Sequence, residues 1–303
     1  MRVASSQYQD TMNTALQLAS SRVSELTEKM ASGQRLLLPS DDPLVSVQLS
    51  RLTSEESSIS QYRDNIGSLK TQLQQNESYL DGMTSDMHQA RDLLVGALDG
   101  SNSSDDLAAD AGPLQSLRDS LLFTANSKDQ EGRYVFSGTA TSTPAISYDA
   151  TQPLGSRYTF TGNTESQNVV VGSGVTQPAN VSVPEMATLL NQLDSAIGAL
   201  QTPGVNVSDP ATHAVVSAGL DGIDAAMNSV SSTIGQLGGT QNILATLDTN
   251  HANVSLSNQQ ALIDLGQLDY GDAATQLNDF TTALQATQKA YAKVSGLSLF
   301  NVL

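Results

Sequence analysis

From Leu52 the chain places an apolar residue at every seventh position: Leu52, Ile59, Ile66, Leu73, Leu80, Met87 and Leu94. A second row, Tyr62, Leu69, Met83, Ala90 and Ala97, lies three residues after members of the first. A seven-residue period is the seam of one helix laid along another. Roughly 55 residues of helix, at about 1.5 Å per residue, would span about 80 Å. A compact enzyme domain has no use for such a rod, whereas a coiled coil or an elongated bundle is built from one.

A shorter seam precedes the rod. Met12, Leu16, Ala19, Val23, Leu26 and Met30 follow strict 4-3 spacing and lead to Gly33, which can end a helix where φ > 0 is needed. Pro39 and Pro43 then forbid quick resumption, because the residue before a proline is pushed away from helical geometry. Ser40, Asp41 and Asp42 offer oxygens for an N-cap, and Pro43 suits an early helical position. The stretch "ASGQRLLLPSDDP" thus reads as a spoke between two helices with separate jobs.

After the rod, "GSNSSDD" is a turn rich in capping residues, and Leu107, Leu114, Leu117, Leu121 and Ala125 mark a returning helix. From Tyr134 to Val183 the period moves toward two. "RYVFSG", "AISYD", "SRYTFTG" and "QNVVVGSG" read as strands punctuated by Gly, Pro and Asn. Helices resume at Pro184 and again at Pro210, the latter opening a seam through Leu220, Ile223, Met227, Val230, Ile234, Leu237 and Leu244. "QLDYGDAA" looks like a local break, and Leu277, Phe280, Leu284, Tyr291 and Val294 form the last seam, with Leu297, Leu299 and Phe300 beyond it.

The layout is symmetric about the β segment. It predicts a mainly α fold with a small β insert: an elongated antiparallel helical bundle plus a coiled coil of the two ends. Residues 1–40 with 265–303 would form the inner terminal coiled-coil domain, 41–133 with 184–264 the bundle domain, and 134–183 an outer β-rich insert.

Composition narrows the function. The net charge is −17, and no Lys or Arg occurs from Tyr158 to Gln288. Nucleic acid and acidic membrane surfaces would be repelled. The chain has no cysteine, which excludes disulfides and thiolate metal sites. "MRVASSQYQDTMNTALQ" has no apolar core of a cleaved signal, and no run of 18 apolar residues exists. That fits a cytosolic protein or one exported by a route that leaves the N-terminus uncut.

No catalytic, cofactor-binding or metal-binding residues are expected. His88, His213 and His251 match no metal-ligand spacing, the "GSG" at 172–174 lacks the Lys and helix of a phosphate loop, and "SDD" reads as a cap. The terminal seams carry a different signal. Each end has one narrow stripe, and an isolated helix pair of that kind is marginal and gains order on binding. The expected function is therefore assembly, with Leu16, Val23, Leu26, Leu277, Leu284 and Tyr291 as its seam.

Four motifs in order, "MRVASSQYQDTMNTALQ", "ASGQRLLLPSDDPL", "ANSKDQEGRYVFSG" and "KVSGLSLFNVL", resemble the bacterial flagellar hook-associated protein 3 family, junction proteins between hook and filament and relatives of flagellin. The β insert resembles the family only loosely. The resemblance implies a homo-oligomer ring, with hook-associated protein 1 on the hook side and flagellin on the filament side. It also implies an export chaperone on the C-terminal segment, type III export without a cleaved signal, and a place outside the cell. Flagellin is the nearest alternative, but its turn usually lacks the Pro39 and Pro43 frame and its C-terminus usually ends in a Leu-rich tail. A secreted adhesin or enzyme acting through the β insert, and an intracellular coiled-coil scaffold, are readings from other classes. A small ligand bound by the insert, or confinement to the cytosol, would favour them.

Overall fold

A computed structural model describes residues 2–295, except the side chains of residues 2–6, 8, 9, 294 and 295. The side chain of Val294, and Leu297, Leu299 and Phe300 entirely, thus lie outside the described residues. The chain runs α1 (Arg2–Ser32), α2 (Pro43–Ala97), α3 (Ser104–Ala125), β1 (Ile146–Tyr148), β2 (Tyr158–Phe160), β3 (Asn168–Gly172), β4 (Val175–Pro178), α4 (Glu185–Leu200), α5 (Pro210–Gly266) and α6 (Tyr270–Ser295). It is mainly α with two small antiparallel sheets, β1–β2 and β3–β4. Its contacts gather into two units, Met1–Ile59 with Ala252–Leu303, and Ser60–His251. These limits fall within α2 and α5, further from the two chain ends than residues 40 and 265, and the β segment lies in the second unit.

In the unit Ser60–His251, the heptad row of α2 is the core. Ile66, Leu73, Leu80, Met87 and Leu94 are buried, with Leu69, Met83, Ala90 and Ala97 beside them. The facing column on α5 also repeats every seven residues, as Val216, Ile223, Val230, Leu237 and Leu244. Leu220, Met227 and Ile234, on the neighbouring column, are only partly buried. Polar pairs fix the two helices antiparallel: Arg63 with Asp248, Glu77 with Gln241, and Arg91 with Asp224. The turn before α3 is closed by a capping box, in which Ser103 and Asp106 satisfy each other's backbone N–H groups.

The "RYVFSG" segment is a chain of turns rather than a strand. Asp129 accepts the N–H groups of Glu131 and Arg133, and Gly132 and Gly138 take φ values of +80° and +68°. Left-handed glycines so closely spaced prevent an extended run. Two asparagines border the β1–β2 hairpin that follows. Asn126 receives the Ile146 N–H at 3.0 Å and donates to the Ile146 carbonyl at 2.8 Å. Asn191, on α4, does the same for Tyr158 at 2.9 and 2.7 Å. Each amide stands where the next strand of a sheet would be.

Between α3 and α4 lies a buried charge cluster. The inward stripe of α3 is Leu107, Ala111, Leu114, Leu121 and Ala125, with Arg118 in the remaining slot. Arg118 Nη1 donates to Asp194 Oδ1 at 2.7 Å, and the Asp194 side chain is 3% exposed. Arg157 approaches the other carboxylate oxygen at 3.6 Å, an ion pair beyond hydrogen-bond length. The Tyr158 ring packs against this group, 6.0 Å from the Arg118 guanidinium and 5.0 Å from the Tyr148 ring.

Burial pushes the Tyr158 phenol up to about 12, from an ordinary 10.0, against the pull of Arg118 and with the help of Asp194. Between those two values the folded chain keeps this proton and the unfolded chain gives it up. Stability is therefore lost as pH rises through the window, by about 2–3 kcal/mol at its end. Melting curves from neutral pH to pH 12 should show this loss, and Tyr158→Phe should remove it. An alkaline loss of the same size in both proteins would show that Tyr158 is not its source.

Candidate functional site

The unit of the two chain ends is built on α1 and α6, which pack together. Its seam follows the 4-3 pattern: Met12, Leu16, Ala19, Val23 and Met30 are half-buried on α1, and Leu277, Phe280, Leu284 and Tyr291 on α6. Among the described apolar side chains of this pair, only Leu26 (7% exposed) and Ala273 (2% exposed) are fully buried. The Arg22 guanidinium lies 5.8 Å from the Phe280 ring centroid. Taken with the bridge between Gln34 and Gln267, this fixes an antiparallel register. The same register brings Leu284 level with Leu16 and Leu277 level with Val23 and Leu26.

The spoke is tied by hydrogen bonds to another part of the chain. Gly33 has φ +71°, and its N–H closes α1 on the Lys29 carbonyl at 2.8 Å. The chain then pairs with the α5–α6 break. Arg35 N–H donates to the Gly266 carbonyl at 2.9 Å, and Leu268 N–H donates to the Gly33 carbonyl at 3.0 Å. The Tyr270 hydroxyl reaches the Met30 carbonyl at 3.1 Å, and a Cβ added at Gly33 would lie 3.1 Å from that hydroxyl. Gly33 thus meets a positive φ and a close approach at once.

Beyond the bridge, Asp41 gathers the chain. Its Oδ2 accepts the N–H groups of Leu37 and Leu38 at 3.1 and 3.2 Å. These two bonds, that from Leu38 first, hold the Asp41 carboxyl below the usual carboxylate range. Asp42 Oδ1 accepts the Val45 N–H at 3.1 Å, and Pro43 is the first residue of α2. Pro39 and Ser40 are exposed in the turn between them.

Three large apolar side chains lie open around this turn: Leu38 at 61%, Leu44 at 70% and Val47 at 68% exposed. Sequence reading passed them over because none sits on a helical seam. The triplet "LLL" before Pro39 was the available signal. The partner segment 266–268 was missed as well, since two residues of pairing leave no periodic trace.

Among the described residues no group of three His, Cys, Asp or Glu could hold a metal ion. No helix there is long and apolar enough to cross a membrane. The site offers apolar stripes and backbone geometry, which suit the docking of helices.

Residues 3–141 match the bacterial flagellin N-terminal helical region. The chain is 32% identical over 292 residues to flagellar hook-associated protein 3 of Escherichia coli K12, covering 91% of each. It is 30% identical to flagellar hook-associated protein 3 of Salmonella typhimurium LT2, covering 92% of each. Among solved structures it resembles a Vibrio parahaemolyticus protein described as flagellar hook-associated. The TM-score is 0.68 at 32% identity, over 75% of this chain and 100% of that one.

Proposed function

We propose a function from one premise: the chain belongs to the flagellar hook-associated protein 3 family. It is a structural component of the bacterial flagellum, and its task is to form the ring that joins hook to filament. The observation that carries this reading is the half-buried seam of α1 and α6. Two helices that leave nearly all their apolar stripe partly exposed are completed by neighbours, and a ring of identical chains supplies them. Leu38, Leu44 and Val47 add apolar surface at the spoke for the same contacts.

In this reading residues 1–40 with 265–303 form the inner layer, 41–133 with 184–264 the next, and 134–183 the outward face. Hook-associated protein 1 lies on the hook side and flagellin on the filament side, and an export chaperone holds the C-terminal segment beforehand. The protein is exported without a cleaved signal and acts without catalysis, metal or cofactor. Immunogold labelling of sheared appendages tests its place. Gold at the single boundary of hook and filament is the expected result. Gold along the whole filament would support a filament subunit instead, and signal confined to cells would sink both.

The spoke makes its own prediction. Pro39→Ala with Pro43→Ala relaxes the turn but removes no backbone donor, since proline has none. Each compatible proline contributes only about 0.4–1 kcal/mol through the unfolded chain, so melting should barely change. The angle between layers is repeated in every subunit, so the double variant should be secreted normally yet shed unpolymerised flagellin into the medium. Full-length filaments on this variant would mean that the turn only connects.

A further inference from the structure

The buried column of α5 turns polar before the helix ends. Val216, Ile223, Val230, Leu237 and Leu244 are followed at the same spacing by His251 and Asn258, and Leu265 is the next aliphatic. His251 is held, since its Nε2 donates to the Val171 carbonyl at 2.8 Å. Asn258 is not. It is 8% exposed, and its amide nitrogen Nδ2 is buried with no hydrogen-bond partner among the described residues.

Glu56 meets this stretch from α2, four residues after Leu52 and three before Ile59. Its Oε1 accepts from the buried Ser255 hydroxyl and, at 3.0 Å, from Gln259 Nε2. Its Oε2 is buried and has no partner among the described residues. Glu56, Ser255, Asn258 and Gln259 all belong to the unit Met1–Ile59 with Ala252–Leu303. The closed helix pair thus buries one donor and one acceptor that it leaves unmet. An unmet buried group destabilises the state that buries it, and water meets both groups once the helices part. An aliphatic layer has the opposite preference, because parting exposes it to water.

We infer that this layer is a release point: α2 up to Ile59 and α5 from Ala252 part here in one local opening, while Ser60–His251 stays folded. Local openings follow the weakest contacts of a fold, and this stretch of seam has the two orphaned groups. Parting uncovers Leu52 and Leu262, both half-buried on the same stretch. The open pair therefore presents an apolar face that the closed pair withholds. Simple fraying would instead be graded inward from Pro43 and Gly266, with no step at the polar layer. The inference stands on the seam and does not depend on the flagellar reading.

Hydrogen–deuterium exchange of the full-length protein, read by mass spectrometry, tests this. Amides of 48–59 and 252–262 should share one degree of protection, about tenfold or more below that of 66–80 and 230–244. Asn258→Leu should raise the protection of both stretches about tenfold, the order of one orphaned group. The stretch on α2 is the decisive readout, because a better helix former at position 258 would by itself protect only α5. Ser255→Ala takes a donor from Glu56 and should lower the protection of both stretches. It decides alone if Asn258→Leu fails to fold. Parent stretches as protected as the core, or α2 protection untouched by the folded variants, would each overturn the inference.

Discussion

Leu284→Asp should abolish filament attachment while the unit Ser60–His251 keeps its melting transition. Leu284 sits half-buried on the α6 seam, level with Leu16 across the helix pair. In the isolated chain an aspartate there can still turn to water, so the folded monomer tolerates it. In the proposed ring the neighbours cover the seam, and each subunit buries an unpaired carboxylate at a cost of about several kcal/mol. The cost recurs at every subunit, so assembly should fail rather than weaken. Cells should secrete the variant, swim poorly and release flagellin as monomer.

A carboxylate in the β segment supplies the control, and the choice of position matters. Asn163 is unsuitable, because its Oδ1 accepts the Thr139 N–H at 2.9 Å and its Nδ2 donates to Thr139 Oγ1 at the same distance. Ser142, exposed in the same region, should accept Ser142→Asp with motility unchanged. Swimming cells carrying Leu284→Asp would remove the seam from the assembly.

The second large effect is on stability. Asp194→Ala should lower the melting temperature of Ser60–His251 by roughly 6–20 °C, from about 3–5 kcal/mol lost and about 2–4 °C per kcal/mol for a unit of this size. The loss is not the value of the Arg118–Asp194 bond itself. Removing the carboxylate leaves the Arg118 side chain, 12% exposed, without its interior partner and facing the α4 stripe. The double change Arg118→Met with Asp194→Leu should therefore recover most of the loss, since a packed apolar pair replaces the buried ions. Circular dichroism melts of the three proteins would settle it. An Asp194→Ala curve superimposed on that of the parent would mean that Asp119, whose Oδ1 accepts from Arg118 Nε and Nη2 at 3.1 and 2.9 Å, suffices to hold the guanidinium.

Features that repeat were legible from sequence. The rows on α1, α2 and α6 could be read because a period of seven leaves many matching positions, and the breaks at 33–43 and 267–269 because Gly, Pro and Asp announce them. Features made by single long-range meetings were not. Arg118 and Asp194 are far apart in the chain, and nothing local marks either as buried. The bridge of Gln34 with Gln267 depends on two breaks arriving side by side, which no window of sequence contains. "RYVFSG" misled because aromatic and β-branched residues suggest a strand, whereas Gly132, Gly138 and the carboxylate of Asp129 decide its path.

Asn126 and Asn191 have a consequence for how such a chain can multiply. A two-stranded hairpin offers a free edge on each side, and a free edge is an invitation for the same strand of another copy to join it. Here the invitation is answered from within at both edges, at Ile146 and at Tyr158. A chain proposed to stand beside copies of itself needs one way of adding a neighbour and no other. At the β1–β2 hairpin the sheet route is closed, and the proposed ring adds its neighbours through the helical ends instead. The solvent-facing residues of this hairpin are then free to change without opening an edge to another copy.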